Sequence, residues 1–284
     1  MSVWLVTSLE RRQLYQAVKP TLSSTGLAKI CLPPRYILDE GVARIDSAGL
    51  HYRDLNQILK TLRESQIKRI ELYNVHGQRY IGTSLRGDVE MIINGTPGND
   101  LGAFMDGPRI HLYGNAQDGC GNTMNSGEIV VHGSAGDIPG YAMRGGRLFI
   151  KGDVGYRAGI HMKEYGDQVP TMVIGGTAGD FLAEYLAGGI IVLLGLHLKE
   201  DRMHKASHVG TGMHGGKIYV HGRIAGLGKE TVVEKLTSQD LLILNQLIRD
   251  YSRYFGYDPK EISSRKFYKV VSSSERPYGR LYVY

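Results

Sequence analysis

The chain has 284 residues, 42% of them hydrophobic and 22% charged, with two cysteines and a formal net charge of +6. That length admits a continuous core, no run of about 18 apolar residues marks a membrane span, and "VWLV" near the N-terminus is too short for a secretory signal, so a cytoplasmic location is expected. Cys31 and Cys120 stand far apart without a C-x-x-C, which excludes an iron–sulfur cluster or thiolate zinc site built from this chain alone; both are expected to be reduced, buried small hydrophobes.

Residues 1–66 read as a mixed α/β extension. "SLERRQLYQAV" suits a short helix and "LAKICLPP" a strand stopped by Pro33 and Pro34, but no motif gives the first 44 residues a task. In "RDLNQILKTLRES", residues 53–65, Leu55, Ile58, Leu59 and Leu62 fall on one face of a helix. "IKRIELYNV" then reads as a strand.

Residues 67–230 repeat. Met105, Met124, Met143 and Met162 are nineteen residues apart, as are Gly95, Gly114, Gly133 and Gly152. Aliphatic residues sit four and two places before each repeat glycine, as in Ile110/Leu112, Ile129/Val131 and Leu148/Ile150, the alternation of a strand. The step stretches to twenty-four between Gly152 and Gly176 and to twenty-seven between Gly195 and Gly222, through the polar runs "KEYGDQVP" and "LHLKEDRMHKASHV", which are expected to bulge outward.

A step of nineteen is too short for a helical hairpin or a propeller blade and matches one turn of a β-solenoid. No six-residue period marks the left-handed form. The expectation is a mainly β, single-stranded right-handed parallel β-helix of about seven coils with flanking capping helices. Equivalent residues would stack about 4.8 Å apart, making the Met and Ile/Val/Leu columns the core, with glycines at the sharp corners.

Residues 231–284 form a C-terminal helix and tail. Thr237-x-x-Asp240 is a capping-box start, Leu241, Leu244, Ile248, Tyr251 and Phe255 lie on one stripe, and Gly256 and Pro259 stop the helix. A solenoid has unpaired strands at both ends, and these two helices are its expected covers. The basic excess is confined to this end: residues 1–198 hold 19 Lys+Arg against 19 Asp+Glu, and residues 199–284 hold 15 against 9. The cations are scattered singly, which points to a solvated or partner-facing surface, including a possible homo-oligomer contact, rather than to nucleic acid.

Four candidate sites can be weighed against plainer readings. "AGLGKET", residues 225–231, resembles a phosphate loop but has Arg223 where a glycine is required and Glu230 where Ser or Thr belongs. His204, His208 and His214 with Asp201 have zinc-ligand character if His-x3-His lies on a helix; otherwise they are exposed loop histidines. Asp118, Asp137 and Asp180, with Asn99 before them, form a column that suits either calcium or Asx turns, interrupted by Tyr156. His161 and Glu164 are an acid/base pair without a nucleophile, or turn residues. No catalytic, cofactor-binding or metal residue emerges as a firm assignment.

The stretches "NVHGQRYIG", "GTPGNDLGAFMDG", "YGNAQDGCGNTM", "GYAMRGG", "GDVGYRAGIHMKEY" and "RPYGRLYVY" resemble the GXGXG domain, the C-terminal β-helix of the glutamate synthase large subunit, and particularly its stand-alone form, glutamate synthase domain 3. The resemblance runs from about Ile45 to Tyr284. It implies a right-handed β-helix without catalytic residues in a complex where a glutaminase subunit releases ammonia and an FMN and iron–sulfur subunit converts 2-oxoglutarate to glutamate. Ser2 stands where an N-terminal-nucleophile glutaminase needs Cys, so neither half-reaction is expected in this chain. No cofactor, membrane or nucleic acid is expected for it. Two alternatives remain: a related complex, such as formylmethanofuran dehydrogenase or one of N-methylglutamate metabolism, and an independent enzyme using His161/Glu164 or His204/His208. If the Met column is core, Met143→Asp lowers stability by several kcal/mol in a urea melt while Lys199→Asp in the second insertion changes it little.

Overall fold

The computed structural model describes residues 36–39, 41–198 and 203–273. "SLERRQLYQAV", "LAKICLPP", Cys31, Lys199, Asp201 and the closing "RPYGRLYVY" lie outside the described residues. The strands are β1 (Tyr36–Asp39), β2 (Val42–Asp46), β3 (Arg69–His76), β4 (Glu90–Thr96), β5 (Asp106–Tyr113), β6 (Ser126–Val131) and β7 (Arg147–Ile150). They continue as β8 (Thr171–Ile174), β9 (Ala187–Leu193), β10 (Met203–His204), β11 (Gly215–His221), β12 (Arg223–Ile224), β13 (Thr231–Glu234) and β14 (Phe267–Ser272). The helices are α1 (Tyr52–Glu64), α2 (Ser238–Phe255) and α3 (Pro259–Ser263).

Alternating aliphatic residues make each repeat a strand, and the constant step makes successive strands parallel neighbours. Ile110 lies beside Ile129, Ile129 beside Leu148, Leu148 beside Met172, Met172 beside Ile191 and Ile191 beside Ile218. Both insertions therefore leave the ladder in register. The parallel run begins one strand earlier than the repeat indicated, because β2 pairs in parallel with β3, placing Ile45 beside Leu72. The result is a parallel β-helix of about eight turns, mainly β, with flanking helices.

Inward residues form columns. Met91, Ile110, Ile129, Leu148, Met172, Ile191 and Ile218 make one, and Met105, Met124, Met143 and Met162 another, all fully buried in one continuous core. Burial of each such side chain contributes about 1.5–3 kcal/mol. Between strands the chain returns through an arc of consecutive turns with positive φ at every second residue, as at Arg157, Gly159 and His161 (φ 55, 71 and 58°). Arc backbones bond from coil to coil: Gly121 N–H donates to Leu101 C=O at 2.8 Å and Phe104 N–H to Asn122 C=O at 2.8 Å.

A polar ladder runs beside the arcs. Asp118 Oδ1 accepts from the Asp137 N–H (2.9 Å) and Asp137 Oδ1 from the Tyr156 N–H (2.8 Å), while in the adjacent column Asp153 Oδ1 accepts from the Thr177 N–H (2.7 Å). Asn115 and Ser134 do the same in the column of Asp153. These bonds join neighbouring coils. The expected Asx turns within a single corner are replaced by cross-coil caps, because the next backbone lies only one strand spacing away. The same closeness selects glycine: a Cβ on Gly136 would collide with Asp118 Oδ1, and one on Gly176 with Asp153 Oδ1.

The ends are closed differently from expectation. β1 pairs antiparallel with β2, and at the far end β14 pairs antiparallel with β11 and β13 with β14. A strand satisfies the open N–H and C=O row directly, whereas a helix has already bonded its own backbone. α1 instead occupies the arc position of the first coil, with Leu55, Leu59 and Leu62 in the main core.

α2 lies along the side of the stack. Its Leu244, Leu247, Ile248 and Tyr251 are buried against Val130, Phe149, Val173, Val192 and Tyr219, the outward residues between the core columns. Leu241, expected on the buried stripe, is 48% exposed. The capping box at Thr237 and the left-handed Gly256 (φ 75°) stand as expected. Eighteen residues of helix span about 27 Å, close to the roughly 24 Å from β11 to β5, so α2 ties the later coils together. No helix among the described residues is long and apolar enough to cross a membrane.

Gly136→Ala is expected to lower unfolding free energy by about 2 kcal/mol, and Asp118→Ala in the same chain to recover part of that loss, giving a coupling of about 1 kcal/mol in a double-mutant cycle by urea denaturation. Strict additivity of the two changes would mean that the aspartate does not dictate the glycine.

Candidate interaction surface

Most sequence candidates are engaged in holding coils together. His161 and Glu164 go separate ways: the imidazole stacks on Tyr185, with centroids 5.2 Å apart and planes 7° off parallel, and the carboxylate accepts from the Gly189 N–H at 3.1 Å. Asp180 accepts from both the N–H and the hydroxyl of Ser207 at 2.8 Å, and these bonds hold its carboxyl below the usual range. In "AGLGKET" the Gly228 N–H bonds Val209 C=O and Glu230 accepts from the Gly212 N–H, so the segment is the arc of the last coil.

The histidines of the second insertion do not converge. His204 lies on β10, which pairs with β12, so the helical spacing needed for a shared metal is absent. It is buried, with Nε2 at 2.6 Å from His221 C=O, and burial is the main cause lowering its pKa. It therefore corrects the exposed-loop expectation. His208 stacks on Phe181 at 5.0 Å, and His214 Nδ1 lies 3.2 Å from Gly212 C=O. Among the described residues no group of three or more His, Cys, Asp or Glu is placed to hold a metal. Cys120 is wholly buried, and burial pushes its thiol up to about 12, so it does not fit a cluster ligand.

What remains outward is aromatic. Phe104, His161, Phe181 and Tyr185 all occupy positive φ (57, 58, 63 and 53°), a region that costs a side-chain-bearing residue about 1–2 kcal/mol. Neighbouring coils fill equivalent positions with Gly119, Thr123 and Ala142, so the backbone does not require a large ring there. The rings join into a surface. Tyr141 meets His161 edge-on at 6.0 Å, His161 stacks on Tyr185, and the Arg157 guanidinium lies 4.9 Å over Phe181, which stacks on His208. Phe104, Tyr141, Tyr156 and Tyr185 remain exposed. Sequence reasoning missed them because a strained φ is invisible without the register of the arcs.

On the opposite side, Asp240 anchors α2. It is 1% exposed, and Lys217, Lys269 and the Tyr219 hydroxyl converge on it. Burial alone would raise its pKa; the Thr237 N–H and hydroxyl, Lys269 and Tyr219 outweigh burial and hold it well below the carboxylate range. At the other end of α2, Arg147 bridges Glu128 and Asp250, and the Tyr254 hydroxyl donates to Glu128.

Fold and surface together define a parallel β-solenoid whose polar side chains bond its own coils and whose arcs carry exposed rings. The GXGXG motif family model matches residues 65–273, and the chain belongs to that family, the family of the glutamate synthase C-terminal domain. An uncharacterized protein of Methanocaldococcus jannaschii is 49% identical over 249 residues, covering 84% of this chain and 95% of that protein.

Because Asp240 has a depressed pKa in the folded chain, its stabilising contribution is full above the unfolded carboxyl value of about 3.9 and falls as pH drops below it. Asp240→Asn is therefore expected to destabilise strongly at pH 7 and progressively less below about pH 4, read from denaturation midpoints across that range. A variant deficit independent of pH would remove the ion network from the anchoring of α2.

Proposed function

We propose that this chain is a noncatalytic assembly subunit of a glutamate synthase-type complex, in which a glutaminase subunit and an FMN and iron–sulfur subunit carry the chemistry. Membership of the GXGXG family supports the setting. One observation carries the assembly role: bulky exposed rings are kept at positive-φ arc positions where the fold needs none. The acidic candidates and His204 supply the complementary argument, since their polar atoms bond to neighbouring coils, while His161 and His208 stack on rings of neighbouring coils.

The test is purification of the tagged chain from its own cells. The expected result is recovery with a flavoprotein and a glutaminase, and glutamine-dependent glutamate formation that needs the chain. Phe104→Gly with Tyr185→Gly should leave stability within about 1 kcal/mol, since relief of positive φ offsets lost stacking, while partner recovery falls sharply. Partners without flavin or glutaminase activity would overturn the reading, and undiminished recovery with the double variant would move the contact off the arcs.

A further inference from the structure

Where α1 replaces the first arc it leaves a cleft. Successive arcs stack about 4.8 Å apart, but a helix packs at 8–10 Å from its neighbour, so the two surfaces meet only along one line. Leu55, Leu59 and Leu62 fill that line, and a wedge of about 570 Å³ opens beside it. Its floor is Leu59, Gly82 and Leu85, with both leucines buried. Its lining also includes Arg53, Lys60 and Arg63 from one stripe of α1, Ser84 from the arc, and Tyr52 and Tyr80. No carboxylate lines it.

Among the described residues Lys60 and Arg63 make no ion pair or side-chain hydrogen bond. Lys60 and Arg63 are three residues apart, a like-charge spacing that destabilises a helix by a few tenths of a kcal/mol. Arg63 in the last turn is favoured by the helix dipole, but Arg53 in the first turn is not. The Tyr52 face is already covered by Arg79, whose guanidinium lies 5.3 Å away, so this end of the cleft is held in place. An apolar floor beside cations of one helix stripe, at this volume, has the composition of a small-molecule site.

We propose that the cleft between α1 and the first arc binds a small organic anion, its apolar or aromatic body on Leu59, Gly82 and Leu85 and its phosphate or carboxylate on Lys60, Arg63 and Ser84. This does not rest on the assembly role, and its test needs no partner subunit. The full chain is titrated calorimetrically with 1-naphthyl phosphate, with 1-naphthol and with inorganic phosphate. Naphthyl phosphate should bind at least about tenfold more tightly than either fragment, and Lys60→Gln with Arg63→Gln should weaken it by about tenfold or more at an unchanged melting temperature. Both positions are exposed on α1, so the fold is retained. Arg144→Gln, a cation elsewhere on the surface, should leave the affinity as it was. Undetectable binding, equal affinity for naphthol, equal loss in Arg144→Gln or no loss in the double variant would each overturn the proposal. Displacement of naphthyl phosphate by a poly-glutamate peptide at lower concentration than by phenyl phosphate would overturn it in favour of an acidic polypeptide.

Discussion

The close approach of one coil to the next governs this molecule. A strand spacing of about 4.8 Å leaves room for an N–H to meet a C=O or a carboxylate, but not for both a carboxylate and a β-carbon. Asp118 over Gly136, Asp137 over Gly155 and Asp153 over Gly176 are three instances of one exclusion. Each aspartate oxygen thus adds to the backbone of the preceding coil in crowding out a β-carbon at the following glycine. The recurring Gly and Asp of the repeat describe contacts between coils as much as the shape of a corner.

That constraint also explains where the helices lie. Arc and strand backbones bond along the stack, so an end is best closed by another strand, and β1 and β14 do so in antiparallel sense. A helix brings no free backbone groups and must contribute through side chains. α1 does this inside the first coil and α2 on the flank, where Val130, Phe149, Val173, Val192 and Tyr219 form an outward apolar strip. Gly175 belongs to the same arrangement, since a Cβ there would collide with the Tyr251 hydroxyl. The buried Asp240 network then fixes one end of α2 and the Glu128–Arg147–Asp250 group the other.

Function follows from what the stacking leaves over. Asp180, His161 and His204, which look chemical in isolation, are engaged in contacts between coils. Two features are not explained by stacking: the rings at positive φ along the arcs and Lys60 and Arg63 on α1, which have no ion pair among the described residues. The first suits association with other subunits. The second suits a small anion, because a helix substituted for an arc necessarily opens a wedge.

The nineteen-residue step, the inward columns, the register across both insertions and both long helices were readable from sequence, because a solenoid writes its core as a one-dimensional period. Met124 and Met143 could be placed in one buried column, and Gly256 at a helix end, before any coordinates. The flank taken by α2 was also written in the outward series Val130, Phe149, Val173, Val192, Tyr219, yet alternation alone does not say that both faces of a strand are covered. Whether Asp118 caps its own corner or the next coil, whether His204 is exposed or enclosed, and whether a ring at residue 185 sits on strained backbone depend on distances between residues far apart in the chain. Local pattern determined which residues form coils; only the stacked structure decided which polar atoms those coils consume, because that depends on how closely one coil approaches the next.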